Sequence, residues 1–197
     1  MKLIVSQLTV ERDARQLFDR INITLNAGEG LLITGANGSG KTSLLRSLIG
    51  LIKPMHGCAS LDQQPLPECR ERWIYLSHGL GLKQSLTVAE NLKLFHQLYP
   101  CGMSIDTALT QVDLSGYASV LVQQLSAGQQ RRVMLARLWM QQADLWVLDE
   151  PLTALDRNGI CTMQQLLQQH LAVGKLVVIT SHQPVHFAEF TLQALQL

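Results

Sequence analysis

Three short stretches of this chain hold residue types whose spacing could do chemistry. The first is Gly35-Ala36-Asn37-Gly38-Ser39-Gly40-Lys41-Thr42, followed by Ser43, which fits G-x-x-x-x-G-K-[ST]. A triphosphate needs many hydrogen-bond donors at short range. Glycine lets successive backbone N–H groups curl into an anion-binding concavity, and a helix starting at the end of the loop turns its positive pole toward the same spot. Lys41 adds a mobile positive charge suited to β- and γ-phosphates, and the Thr42 hydroxyl is placed to ligate Mg2+. At average glycine usage of roughly 7% such an octapeptide is rare by chance. The stretch therefore reads as a nucleoside triphosphate site rather than an accidental turn.

The second stretch, Leu145-Trp146-Val147-Leu148-Asp149-Glu150, is an apolar run ending in two acids. Burial up to Leu148 leaves Asp149 at the carboxyl end of a strand, the edge where α/β sheets bind ligands. Asp149 there suits Mg2+, and Glu150 suits acceptance of a proton from water attacking a γ-phosphate. Alone, the pair would fit a solvated loop equally well; the phosphate loop favours chemistry. The third stretch, Leu125-Ser126-Ala127-Gly128-Gln129, precedes a helix carrying Arg131 and Arg132. Ser126-x-x-Gln129 matches a capping box, which accounts for both residues structurally. Capping leaves Gly128 unexplained, because glycine in a first helical turn costs up to about 1 kcal/mol against alanine. An open helix N-terminus with a serine hydroxyl and a glycine also suits phosphate. With one phosphate loop already present, this second one most simply faces a neighbouring molecule's nucleotide.

The elements that must position these residues form an α/β pattern. Strand-like runs occur at Leu3–Val5, Leu8–Val10 and Ile21–Leu25, followed by a turn over Ala27–Gly30 and a short buried strand at Leu31–Thr34. After the glycine loop, apolar spacing predicts a helix over Thr42–Ile52, stopped by Lys53-Pro54. Residues 53–72 read as turn-rich, and Trp73–Leu76 as another strand. From Ser85 to about Gln142 the texture is helical: Val88, Leu92, Phe95 and Leu98 share one face, and Thr107–Val112 and Val133–Met140 also read as helix. Strands return at Leu145–Leu148 and Leu176–Ile179. Gln-Gln pairs such as Gln141-Gln142 and Gln164-Gln165 alternate with apolar residues and read as polar helix faces rather than low-complexity sequence.

Composition excludes several classes. The 197 residues suit about one domain, with 47% hydrophobic and 16% charged residues, enough for a sizeable core. Lys plus Arg number 16 against 15 Asp plus Glu, so no whole-chain field exists to hold nucleic acid. The basic clusters, Arg131-Arg132 and the Arg70/Arg72 pair, are too small for a polybasic membrane anchor. The 4 cysteines include no CxxC pair, which gives no support to zinc, haem-attachment or thioredoxin-type chemistry. No stretch approaches 18 consecutive apolar residues, so a membrane role is expected to be peripheral. His182 and His186 stand four apart, but Pro184 between them argues against a helical metal pair.

The glycine loop, Leu125–Gln129, Leu148-Asp149-Glu150-Pro151, Ala154-Leu155-Asp156 and Thr180-Ser181-His182 come in the order and spacing of ABC-family ATPases, and the resemblance covers almost the whole chain. It implies a P-loop NTPase fold of the ABC type, with a RecA-like core, an N-terminal antiparallel β part and a helical subdomain. The implied single domain spans 1–197, with the core over about 1–83 and 143–197 and the helical part over about 84–142. The resemblance implies a head-to-tail homodimer, with each ATP between one copy's Lys41 loop and the other's Ser126-Ala127-Gly128-Gln129. Asp156 is then expected at the dimer seam, and His182 on the γ-phosphate, steadying the water poised by Glu150.

Two departures narrow the resemblance. Where such ATPases carry a glutamine nine residues before the threonine of Leu86-Thr87-Val88-Ala89-Glu90-Asn91-Leu92, this chain has His78. Imidazole also accepts and donates, and its charge changes near neutral pH, leaving catalytic, coupling and structural roles open. The usual adenine-stacking aromatic is replaced by Arg12, whose guanidinium plane can stack on a base, while Phe18 reads as core. Ser77-His78-Gly79-Leu80-Gly81-Leu82-Lys83 and Leu125–Val133, with Ala136-Arg137-Leu138-Trp139, resemble the ATP-binding subunits of the cytochrome c maturation, or haem exporter, system. That implies a CcmB-like membrane permease, other cytochrome c maturation proteins nearby, and a place at the cytoplasmic face of the bacterial inner membrane. It also implies hydrolysis coupled to haem export or to release of a haem-loaded chaperone. None of the 6 histidines follows a haem motif, so no haem site is expected in the chain. Another lipid or drug exporter is the alternative; a soluble ABC ATPase acting on DNA or ribosomes would usually carry two cassettes or a coiled-coil insert.

Overall fold

The computed structural model describes residues 1–12, 15–98, 103–182 and 192–197. Strands β1 (Lys2–Arg12) and β2 (Arg15–Asn26) pair antiparallel. The two short runs expected over 3–5 and 8–10 are one strand with an irregularity between them. Leu3, Val5, Leu8 and Val10 are all buried, so the inward face switches from odd to even residues. Only a register shift permits this, because side chains alternate strictly along a regular strand. The shift lies between Val5 and Leu8, where Gln7 turns left-handed (φ 51°) and its N–H donates to Asn22 Oδ1 at 2.9 Å.

The stretch 53–72 is less turn-rich than its composition predicts. Strand β4 (His56–Leu61) pairs antiparallel with β1, and β5 (Gln64–Pro65) pairs with β4, giving the order β2-β1-β4-β5. The first three residues of β4 are exposed, so it lacks the apolar alternation that marks a strand. Single 3-10 turns over Leu66–Glu68 and Arg70–Arg72 complete the segment.

The second sheet is parallel, in the order β6-β7-β8-β3-β9: Trp73–Leu76, Leu145–Asp149, Leu176–Thr180, Gly30–Thr34 and Gln193–Gln196. Every residue of β7 and β8 is buried, as expected of parallel strands covered on both faces. Alternation divides them between two cores. Leu145, Val147, Leu176 and Val178 pack with Leu44, Leu45 and Leu48 of α1 (Lys41–Leu48) and with β1 and β2. Trp146, Leu148, Val177 and Ile179 pack with α2 (Val88–Leu98), α3 (Ile105–Gln111), α4 (Ala127–Met140) and α5 (Arg157–Ala172). On that side the Trp146 ring stacks on His170 of α5 with centroids 3.6 Å apart.

Helix α1 ends at Leu48, four residues earlier than the sequence pattern suggests. The chain turns left-handed at Gly50 (φ 77°), and Leu51 N–H folds back to Arg46 O at 2.8 Å. The apolar residues Leu51 and Ile52, which extended the pattern, lie beyond the helix. Phe18 is buried, as the sequence predicts.

Candidate nucleotide site

The phosphate loop joins β3 to α1 at the carboxyl edge of the parallel sheet. Gly40 is the N-cap of α1 with φ 105°, a conformation closed to most side chains, and no side chain caps the helix. The first N–H groups of α1 are thereby left for a ligand. Lys41 is largely buried; its Nζ donates to Gly35 O at 2.8 Å and Ala36 O at 3.0 Å, so the lysine lies along the loop it serves.

Behind the loop, the Thr42 hydroxyl donates to Asp149 Oδ2 at 2.8 Å, and the Thr180 hydroxyl donates to Asp149 Oδ1 at 2.8 Å. Asp149 is 1% exposed, so both oxygens need these partners. The Glu150 N–H donates to Thr180 Oγ1 at 2.9 Å. Glu150 itself is left-handed (φ 51°), a conformation that costs a non-glycine residue about 1–2 kcal/mol. The sharp turn lifts its side chain off the strand. Glu150 Oε1 is in close contact with His182 Nε2, and Oε2 lies 3.7 Å from His78 Nδ1. The carboxylate is thus bracketed by two imidazoles, with His182 within hydrogen-bond reach and His78 just outside it.

A cavity of about 910 Å³ opens over this edge. Of the residues singled out in the sequence, Asn37, Gly38, Gly40, Lys41, Thr42, Ser43, His78, Glu150 and His182 line it. Gly35 and Ala36 serve it through the carbonyls that hold Lys41. Leu17 and Arg46 also line it and were not anticipated; Arg46 stands one helical turn beyond Thr42 on α1, a spacing that could have pointed to it. The side chain of Arg12 lies outside the described residues, as does His186.

The Ser126 stretch is not among the residues lining the cavity. Ser126 Oγ accepts from Gln129 N–H at 3.2 Å and Gln129 Oε1 accepts from Ser126 N–H at 2.9 Å, completing the expected capping box on α4. Gly128 has an internal reason that capping alone did not supply. A Cβ there would lie 2.9 Å from Ala154 O, so packing inside the chain already demands glycine. Gly128 therefore no longer argues by itself for a second phosphate. Asp156 is the N-cap of α5, accepting from Gly159 N–H at 2.9 Å, and Arg132 Nη2 lies 2.7 Å from each of its oxygens. The Gly159 N–H, with Arg132 beside it, holds the Asp156 carboxyl below the usual aspartate range.

Chemically, the edge offers hard oxygen donors. The Thr42 hydroxyl and the Asp149 carboxylate, 2.8 Å apart beside the phosphate loop, suit Mg2+, which prefers oxygen ligands and shares them with phosphates. Among the described residues no group of three or more His, Cys, Asp or Glu stands ready to cage a metal alone. No helix among them is long and apolar enough to cross a membrane.

Comparison with known proteins gives the chain a family and a fold. Residues 18–153 match the ABC transporter family model. The cytochrome c biogenesis ATP-binding export proteins CcmA of Escherichia coli (strain K12) and of Shigella flexneri are each 45% identical over 195 residues, covering 97% of this chain and 94% of theirs. Among solved structures, a putative ABC transporter ATP-binding protein from Pyrococcus furiosus superposes with a TM-score of 0.86 at 26% identity, over 100% of this chain and 98% of that one. A dimeric ATP-binding cassette in a post-hydrolysis state, bound to ADP and phosphate, gives 0.78 at 25% identity, over 92% and 88%. The chain belongs to the ABC transporter family, among the cytochrome c biogenesis ATP-binding export proteins.

Proposed function

We propose that this chain is the ATP-hydrolysing subunit of an export complex for cytochrome c maturation, coupling turnover to haem export or to release of a haem-loaded chaperone. The observation that carries the catalytic part is the meeting, in one cavity, of Lys41, Thr42, Glu150 and His182. In this reading Lys41 and the α1 N-terminus hold the β- and γ-phosphates of ATP. Glu150 accepts a proton from the attacking water as its oxygen bonds to the γ-phosphorus and the bond to ADP breaks. His182, in contact with Glu150, keeps that carboxylate aimed and reaches the γ-phosphate. Thr42 and Asp149 would hold Mg2+, which supplies charge neutralisation at the phosphates when bound.

Two copies of the chain close over two ATP molecules, with Ser126 to Gln129 of one copy meeting the γ-phosphate held by the other. The exposed end of α4 and the solved dimeric cassette bound to ADP and phosphate support this arrangement. Asp156 then lies at the seam between copies. A CcmB-like permease anchors the pair at the cytoplasmic face of the inner membrane, in line with the names of the relatives at 45% identity. Arg12 stacks on the adenine. The test is twofold: phosphate release from ATP by the purified chain, and recovery of a membrane permease with it from solubilised membranes. Recovery without any membrane protein would remove the transport role, and no phosphate release even with the permease would remove the ATPase role.

A further inference from the structure

We infer that Arg131 is a positioning residue that ties the backbone of Glu150 to the start of α4; this rests on the reading of Glu150 as the base. Arg131 is only 4% exposed, and a buried guanidinium persists only where it is paired. Its Nη2 donates to Glu150 O at 2.5 Å and its Nη1 to Ser77 O at 3.4 Å. One fork thus joins three segments: α4, the loop that carries His78, and the turn that carries Glu150. Burial pulls the Arg131 pKa down, while the carboxylates of Asp149 and Glu150 oppose that and keep the charge in place.

The geometry makes the link directional. The left-handed turn at Glu150 is held on its N–H by Thr180 and on its carbonyl by Arg131 and, at 3.3 Å, by the Thr153 N–H. Fixing both flanking peptides fixes the direction in which the carboxylate leaves the backbone. Arg131 follows Ser126 by five residues, about 7.5 Å of helix at 1.5 Å per residue. A tilt of the α4 N-terminus on meeting a phosphate therefore reaches the Glu150 carbonyl through one rigid turn and one side chain. The next residue, Arg132, points to Asp156 instead. Lysine at 131 would keep the charge but not the two-pronged reach.

The test uses the full chain and steady-state ATP turnover, with nucleotide affinity and melting temperature measured beside it. Arg131→Gln is expected to lower kcat by about tenfold to a hundredfold, the scale of a misplaced catalytic group, with KM and Kd for ATP within about twofold of wild type. Arg131→Lys is expected to recover part of that loss at the same KM. Wild-type kcat in both variants overturns the proposal. So does a loss that falls equally on ATP affinity, or one that is equal in the two variants and tracks the drop in melting temperature. If Arg131→Gln does not fold, the lysine variant decides: reduced kcat at unchanged KM supports the role, and unchanged kcat overturns it. Glu150→Gln is run alongside. Retained turnover there removes the base and this proposal with it, whereas lost turnover there with normal Arg131 variants removes the positioning role alone.

Discussion

The two glycine-bearing regions that the sequence pattern singles out for phosphate are held together in opposite ways. At the carboxyl edge of the parallel sheet, partners come from far along the chain: Thr42 and Asp149 are 107 residues apart, and Thr180 and Asp149 are 31 apart. At the start of α4, Ser126 and Gln129 are three apart and satisfy each other. The first region exists only when the whole sheet has formed, and it keeps a left-handed glutamate that local preference would relax. The second forms as soon as α4 does and is structurally complete without any ligand. Strain maintained by distant contacts marks the place of chemistry, and a self-sufficient cap marks a surface whose further use depends on what it meets.

Substitutions can break this contrast, beginning with the largest effect. Glu150→Gln is expected to slow phosphate release by about 10²- to 10⁴-fold, the span of general-base catalysis, while ATP Kd stays at the wild-type value and gel filtration with ATP shows a trapped dimer. Lys41→Ala is expected to weaken ATP binding by about ten- to a hundredfold, from loss of a charged hydrogen bond of about 1.5–3 kcal/mol; calorimetry giving the wild-type Kd would refute that role.

A third measurement asks whether acid sensitivity belongs to the nucleotide edge or to the opposite face of the sheet. Burial beside Trp146, with Lys175 nearby, pulls the His170 pKa from 6.5 down to about 3. The folded value lies below the unfolded one, so the unfolded chain binds the extra proton between those limits. Stability is therefore full above about pH 6.5 and falls toward pH 3, by about 1.4 kcal/mol per pH unit at most. At pH 5 the loss is about 2 kcal/mol. His170→Phe keeps a ring against Trp146 and removes the titration, so denaturant melts at pH 7 and pH 5 should differ less than in wild type. An equal difference would place the acid sensitivity elsewhere.

The smallest effect on stability separates capping from phosphate contact. Ser126→Ala is expected to cost about 1 kcal/mol through the lost cap. Ser126→Asp keeps a capping acceptor, so its melting temperature should stay near wild type, yet its negative charge should suppress turnover wherever this helix end meets a phosphate. Wild-type turnover in the aspartate variant would mean that the cap is all that Ser126 provides.

Much of the edge was legible because its residues are tied to backbone shape. A glycine at the N-cap of α1, a lysine after it, and an apolar strand ending in Asp149-Glu150 each announce a geometry. The capping box was legible for the same reason. Strands β4 and β9 were not, since exposed or edge residues carry little alternation. Helix α5 was traced only through its glutamine pairs, because its first turn holds Asn158 and Gly159, poor helix formers rescued by the Asp156 cap. Arg131 read only as half of a small basic cluster, and no local pattern shows that one arginine of two is buried. The packing reason for Gly128 was not legible, because the atom that crowds a side chain there, Ala154 O, lies 26 residues away.

The division of β7 between two cores has a consequence for how the chain can change over time. Leu145 and Val147 interlock with α1, Trp146 and Leu148 with the helices behind, and Asp149 continues the first series toward Thr42. Inserting or deleting a single residue anywhere in this strand would swap the two series and swing the acid to the wrong side of the sheet. Loops elsewhere can lengthen or shrink, but this segment is length-locked, so related chains should differ in its side chains and never in its residue count.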